Sequence, residues 1–76
     1  MHMNMDEMMK KLENSSGEKF DKNFLEVMID HHQGGLEMAE MAVDRVKNPE
    51  LKEMVEEMME KHGQEIEQMQ EMQKSM

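Results

Sequence analysis

The chain is 76 residues long and carries a formal net charge of −9, with 36% charged and 37% hydrophobic residues. That balance allows one domain at most, excludes nucleic acid as a partner because phosphates demand a basic surface, and favours cations. Cysteine is absent, so no disulfide supplements a core that at this size buries only about 60% of the unfolded surface.

Bound metal or oligomerisation is the expected supplement. The lack of thiols fits an oxidising space, where free thiols are a liability. No signal peptide is recognised, which fits a mature or trimmed form of an exported chain. No apolar run approaches the roughly 18 residues of a membrane span. Methionine is the outlier, with 14 against 4 leucines. Leucine is the ordinary helix-core residue, and a role as flexible gap filler does not account for such an excess.

In chain order, Met1, Met5, Met8, Met9 and Leu12 fall at helical spacing, and Met1, His2, Met3 and Met5 form a cluster of soft ligands. Residues 1–14 are read as a Met/His-rich N-terminal segment, either a short helix or a frayed terminus. Asn14-Ser15-Ser16-Gly17 reads as a linker. Residues 15–76 are read as a helical hairpin. Ser15 and Glu18 have capping-box spacing, and Asp21 is a second N-cap candidate. The first long helix should therefore run from about residue 18 to Lys47. Asn48 then caps a second helix with Pro49 at its first position, ending near Ser75. Two helices of similar length joined by almost no loop must fold back antiparallel.

Helical-wheel arithmetic at about 100° per residue gives each long helix a broad apolar arc. The first holds Phe20, Phe24, Leu25, Met28, Ile29, His31, His32, Gly35, Leu36, Met38, Ala39, Ala42, Val43 and Val46. The second holds Leu51, Met54, Val55, Met58, Met59, His62, Ile66, Met69, Met72 and Met76. These arcs are wider than one partner helix can cover, so two hairpins should pair as a four-helix bundle by homodimerisation. The face of Glu26, Asp30, Gln33, Glu37, Glu40 and Asp44 reads as a solvated surface.

Three histidines lie on the inward arcs, each with methionine neighbours at helical spacing. Met28 precedes His31 and His32; Met58 and Met59 precede His62. A carboxylate di-iron bundle needs Glu-x-x-His, and here the residues three before His31, His32 and His62 are Met28, Ile29 and Met59. Thioether with imidazole selects copper(I), and by the same logic silver(I), over iron, manganese or calcium. In an antiparallel pair, residues whose numbers add to about 97 should face each other. His62 then faces Gly34 and Gly35, His32 faces Glu65, Met28 faces Met69, and Met38 faces Met58 and Met59. Each glycine costs up to about 1 kcal/mol in a helix interior, but a missing side chain leaves room for an imidazole and a metal. Glu65, at the edge of the inward arc, either accepts the ring N–H of His32 and orients it or is an exposed rim residue.

The residues Phe20-Asp21, Phe24-Leu25, Met28-Ile29, His31-His32-Gln33, Leu36, Met38-Ala39, Pro49-Glu50-Leu51 and Glu65-Ile66 with Met69 resemble, as a set, the bacterial domain-of-unknown-function 305 family. The resemblance covers about residues 18 to 72. It implies a ferritin-like, four-helical, exported protein, and some family members are Met/His-rich copper-binding proteins tied to copper resistance. The family's central motif falls on Met28, His31, His32, Gln33 and Met38. This chain departs from the pattern at Asp30, where proline is common, and at Gly34-Gly35, where a larger residue and alanine are expected. It departs again at His62 and Met72, where glutamine and tryptophan are expected; these two changes add soft ligands.

The expectation is a binding protein, not an enzyme, that sequesters or delivers copper(I) and silver(I) and supports copper tolerance. Its expected metal residues are Met28, His31, His32, Met38, Met58, Met59, His62 and Met69, with Met1, His2, Met3 and Met5. Its expected partners are the metal ion, a second copy of the chain and a copper transporter or chaperone. The rival readings are a ferritin-like iron-binding or oxidase protein, a haem protein with Met/His ligation, and a metal-free interaction module with a Met-rich face.

Overall fold

The described residues form three helices: α1 over Met5–Glu13, α2 over Gly17–Val43 and α3 over Pro49–Lys74. The computed structural model describes residues 2–76, so Met1, an expected ligand, lies outside the described residues. No strand occurs among the described residues, and the protein is all-helical.

The N-terminal segment is helical rather than frayed, and a capping box starts it. The Asn4 side chain accepts the Glu7 N–H at 2.8 Å, and the Glu7 carboxylate accepts the Asn4 N–H at 3.2 Å. Two donors that the first turn leaves open are thereby satisfied. The expected box at Ser15 and Glu18 does not form. The Ser15 hydroxyl instead donates back to the carbonyls of Lys11 and Leu12 at 3.2 and 3.1 Å, closing α1. The N-cap of α2 is Ser16, without a side-chain capping bond, and Asp21 lies inside the helix. Gly17 supplies the turn between α1 and α2 at φ 62, a left-handed conformation that glycine adopts without steric cost.

α2 ends at Val43 rather than at Lys47. The N–H groups of Arg45 and Val46 both return to the Ala42 carbonyl at 2.9 Å, which tightens the last turn. Asn48 then turns extended, at φ −69 and ψ 123, as the residue before a proline must. Its side chain accepts the Leu51 N–H at 3.0 Å, and Pro49 opens α3 as expected.

α2 is the central helix. It packs antiparallel to α3 on one side, with Leu25, Ile29 and Ala39 buried against Val55 and Ile66. On another side its Val27 is buried with Met8 of α1, which packs on α2 rather than on α3. Part of the broad arc of α2 is therefore covered within the chain. Each buried aliphatic contributes about 1.5–3 kcal/mol, but among the described residues no side chain is completely buried. The core is a thin seam in a body of 44 × 27 × 19 Å.

Replacing the cap residue, Asn48→Ala, should lower the unfolding free energy by about 1 kcal/mol, read as a lower urea midpoint at unchanged slope. An unchanged midpoint would mean that Pro49 alone sets the start of α3.

Candidate metal centre

The register of the hairpin brings His62 of α3 under Gly35 of α2. A Cβ at position 35 would lie 2.9 Å from His62 Nε2 and 3.0 Å from its Cδ2. The missing side chain is thus the space the imidazole fills, and α2 runs on unbroken through both glycines. The His32 ring lies beside it, with ring centroids 4.8 Å apart and planes tilted by 34°. His32 Nδ1–H donates to the Met28 carbonyl at 2.9 Å, and its Nε2 sits 3.1 Å from a Glu65 carboxylate oxygen. Both acceptors take a proton, so the ring as arranged donates from both nitrogens. The bond to the Met28 carbonyl fixes the orientation of the ring. Glu65 is exposed and free to swing away.

His62 Nδ1 is buried and has no hydrogen-bond partner. An unsatisfied buried nitrogen costs about 1–3 kcal/mol. The His62 ring also borders a hollow of about 240 Å³ lined by Met54, Glu57, Met58, Lys61 and Glu65. The thioether of Met58 and the imidazole of His62 therefore share one opening to solvent, while Met59 and Met69 are half-buried.

The other expected ligands divide between two places. His31 does not face α3 as its arc implied. It turns toward α1 and lines a cavity of about 210 Å³ with Met5, Met8, Met9 and Met28, over Leu12 and Val27. Met38 stands 66% exposed, outside both clusters. Among the described residues no group of three or more His, Cys, Asp or Glu side chains converges to hold a metal; the donors that do gather are imidazoles and thioethers. The buried core holds Met8 as its one methionine among the described residues, and Met5, Met9, Met38, Met41, Met54, Met58, Met72 and Met76 are exposed. The methionine excess is a surface property, not a packing one.

His2 has a different part. Its Nδ1–H donates to Asp30 and its Nε2–H to Glu37, both at 2.9 Å, and the Met3 N–H donates to the second Asp30 oxygen at 2.9 Å. Two donated bonds require the imidazolium, so in this conformation neither nitrogen is open to a metal. The ring lies over Gly34, whose absent Cβ would sit at ordinary contact distance, 3.7 Å. Asp30 and Glu37, read from the sequence as part of a solvated face, are the anchor of the N-terminal segment, with Glu26 pairing to Lys11 at 2.8 Å. Hydrogen bonding to Asp30, then to Glu37, holds His2 above its usual value of 6.5. The same bond from His2 holds Asp30 below its usual 3.8, burial opposes it, and the Met3 N–H adds a smaller lowering.

The two glycines should therefore respond differently to alanine. Both changes gain up to about 1 kcal/mol of helix propensity, but only Gly34→Ala should keep it; Gly35→Ala should be the less stable and should shift the His62 ring resonances. Equal unfolding midpoints would show that the ring gives way freely. The stability difference between the parent chain and His2→Ala should also depend on pH. The His2 contribution is fully present below about pH 6.5 and lost as pH rises through its raised folded-state value. The Asp30 contribution is present above about pH 3.8 and lost as pH falls through its lowered value. Urea titrations across pH 3 to 9 measure this difference, and a flat one would remove the clamp.

The chain matches no curated protein and no solved structure. A family model described as a domain of unknown function, DUF305, matches residues 1–73. With the match spanning nearly all of the sequence, the chain belongs to the DUF305 family.

Proposed function

We propose that the protein binds copper(I), and silver(I) by the same chemistry, through imidazole and thioether donors at the seam of its hairpin. The observation that carries this reading is the buried, unpartnered Nδ1 of His62. The Nε2 edge of the same ring fills the space left by Gly35, with His32 alongside and Met58 on the adjoining hollow. Histidine nitrogens and methionine sulfur are a soft donor set, and the missing carboxylate cluster speaks against an iron centre of the Glu-x-x-His kind. The ion is cargo, and the role is sequestration or delivery in copper tolerance rather than catalysis. Family resemblance supports an exported protein, periplasmic or extracellular, handing the ion to a transporter or chaperone.

The exposed flank supports an assembly. Phe20 and Phe24 stack at 6.0 Å between centroids, and with Met54, Met58 and Met72 they remain exposed on the long helices. Pairing of two hairpins across these residues gives the ferritin-like four-helix bundle by homodimerisation.

A copper(I) titration against a competing chelator tests the reading. His32→Ala and His62→Ala should each weaken binding at least tenfold, and zinc should compete poorly. Effective competition by zinc, or full affinity in the His62 variant, would refute it. Native mass spectrometry of the loaded chain counts ions and copies together and should find a dimer.

A further inference from the structure

The cavity between α1 and α2 is a second cluster of soft donors, separate from the seam. Met5, Met8 and Met9 reach it from α1, and Met28 and His31 from α2. Met8 and Met9 stand three and four residues after Met5, and His31 three after Met28, spacings that bring side chains to one side of a helix. The His31 imidazole is the sole polar side chain among the residues lining it. Among the described residues that exposed ring makes no hydrogen bond and is free to turn a nitrogen to an ion, whereas the rings of His2 and His32 are held at both nitrogens. Met5 is 62% exposed and Met9 47%, so two thioethers stand at the rim where an ion arrives.

Simple helix packing does not call for this composition. A two-helix contact is served by leucine, which has better-defined rotamers than methionine, and Leu12 on the same helix shows leucine at work there. The hard-ligand alternatives are also missing, because no carboxylate lines the cavity. What remains is several thioethers and one imidazole, a donor set that prefers a monovalent soft ion to zinc, iron or calcium.

We propose that this cavity is a second, independent site for copper(I) or silver(I), with Met5, Met9, Met28 and His31 as ligands, and that the bound ion pins α1 onto α2. It rests on the reading of the chain as a soft-metal binder but uses none of the seam's ligands. α1 packs against α2 alone, held by the His2 clamp, the Lys11–Glu26 pair and the burial of Met8 and Val27. An ion bridging the two helices adds its binding free energy to that docking.

The test uses the full chain with methyl-labelled methionine, titrated with silver nitrate in chloride-free buffer and followed by NMR, native mass spectrometry and amide exchange. The parent should take two ions per chain, move the methyl signals of Met5, Met9 and Met28 as well as that of Met58, and slow exchange of the α1 amides at least tenfold. The double variant Met5→Leu, Met9→Leu keeps the apolar volume. It should lose one ion and the α1 protection but keep the Met58 shift, and His31→Ala should do the same. His62→Ala should lose the Met58 shift and keep the α1 response. If the Met5 and Met9 variant still takes two ions, or the Met5, Met9 and Met28 signals stay put at saturating silver, the second site is overturned while the seam reading stands. If only those signals move, the seam reading falls and the second site stands; if no silver binds, both fall.

Discussion

The approach of His62 to Gly35 is the contact on which the rest of the arrangement depends. A side chain at position 35 would meet the imidazole at 2.9 Å, so the hairpin can close in this register only because there is none. The same register lays His32 against Glu65 and sets the two imidazole rings side by side, tilted to each other. It also buries an imidazole nitrogen without a partner. The fold thus gives up helix propensity at Gly35 and leaves a polar atom unsatisfied where it brings two imidazoles together. With no side chain completely buried among the described residues, neither cost is negligible.

α2 carries both consequences because it has two neighbours. Its seam with α3 holds the His32 and His62 rings, and its contact with α1 holds His31 among methionines. A third strip of the same helix, with Asp30 and Glu37, grips His2. His31 and His32 are adjacent in sequence yet serve different partners, their rings edge-on at 6.3 Å. Successive helical residues point about 100° apart, and here that angle separates the two clusters.

Much of the hairpin was legible because its constraint is local. Asn48-Pro49 dictates where α3 starts, and a short connection pins which residues oppose one another; the pairing of His32 with Glu65 and of Gly35 with His62 follows by counting. The position of α1 was not legible in the same way. A helical wheel assigns each residue an angle but does not say which neighbour occupies that angle, so His31 could be placed inward without revealing that inward meant α1. Asp30 and Glu37 looked like any acidic surface, since their partner His2 lies far away along the chain. Capping signals competed as well. Asn4 with Glu7 and Ser15 with Glu18 have the same spacing, and only the first forms, because the Ser15 hydroxyl is engaged by the last carbonyls of α1.

The distribution of sulfur has a chemical consequence of its own. Leucine, valine, isoleucine and alanine supply every buried core residue except Met8, while the exposed apolar side chains are mostly methionine. A thioether in reach of peroxide becomes a sulfoxide, which is polar and reverts only through a dedicated reductase. Oxidant damage to this molecule would fall first on its outer sulfurs, turning soft donors into hard oxygen ones, while the aliphatic seam that holds the helices together has almost nothing to oxidise.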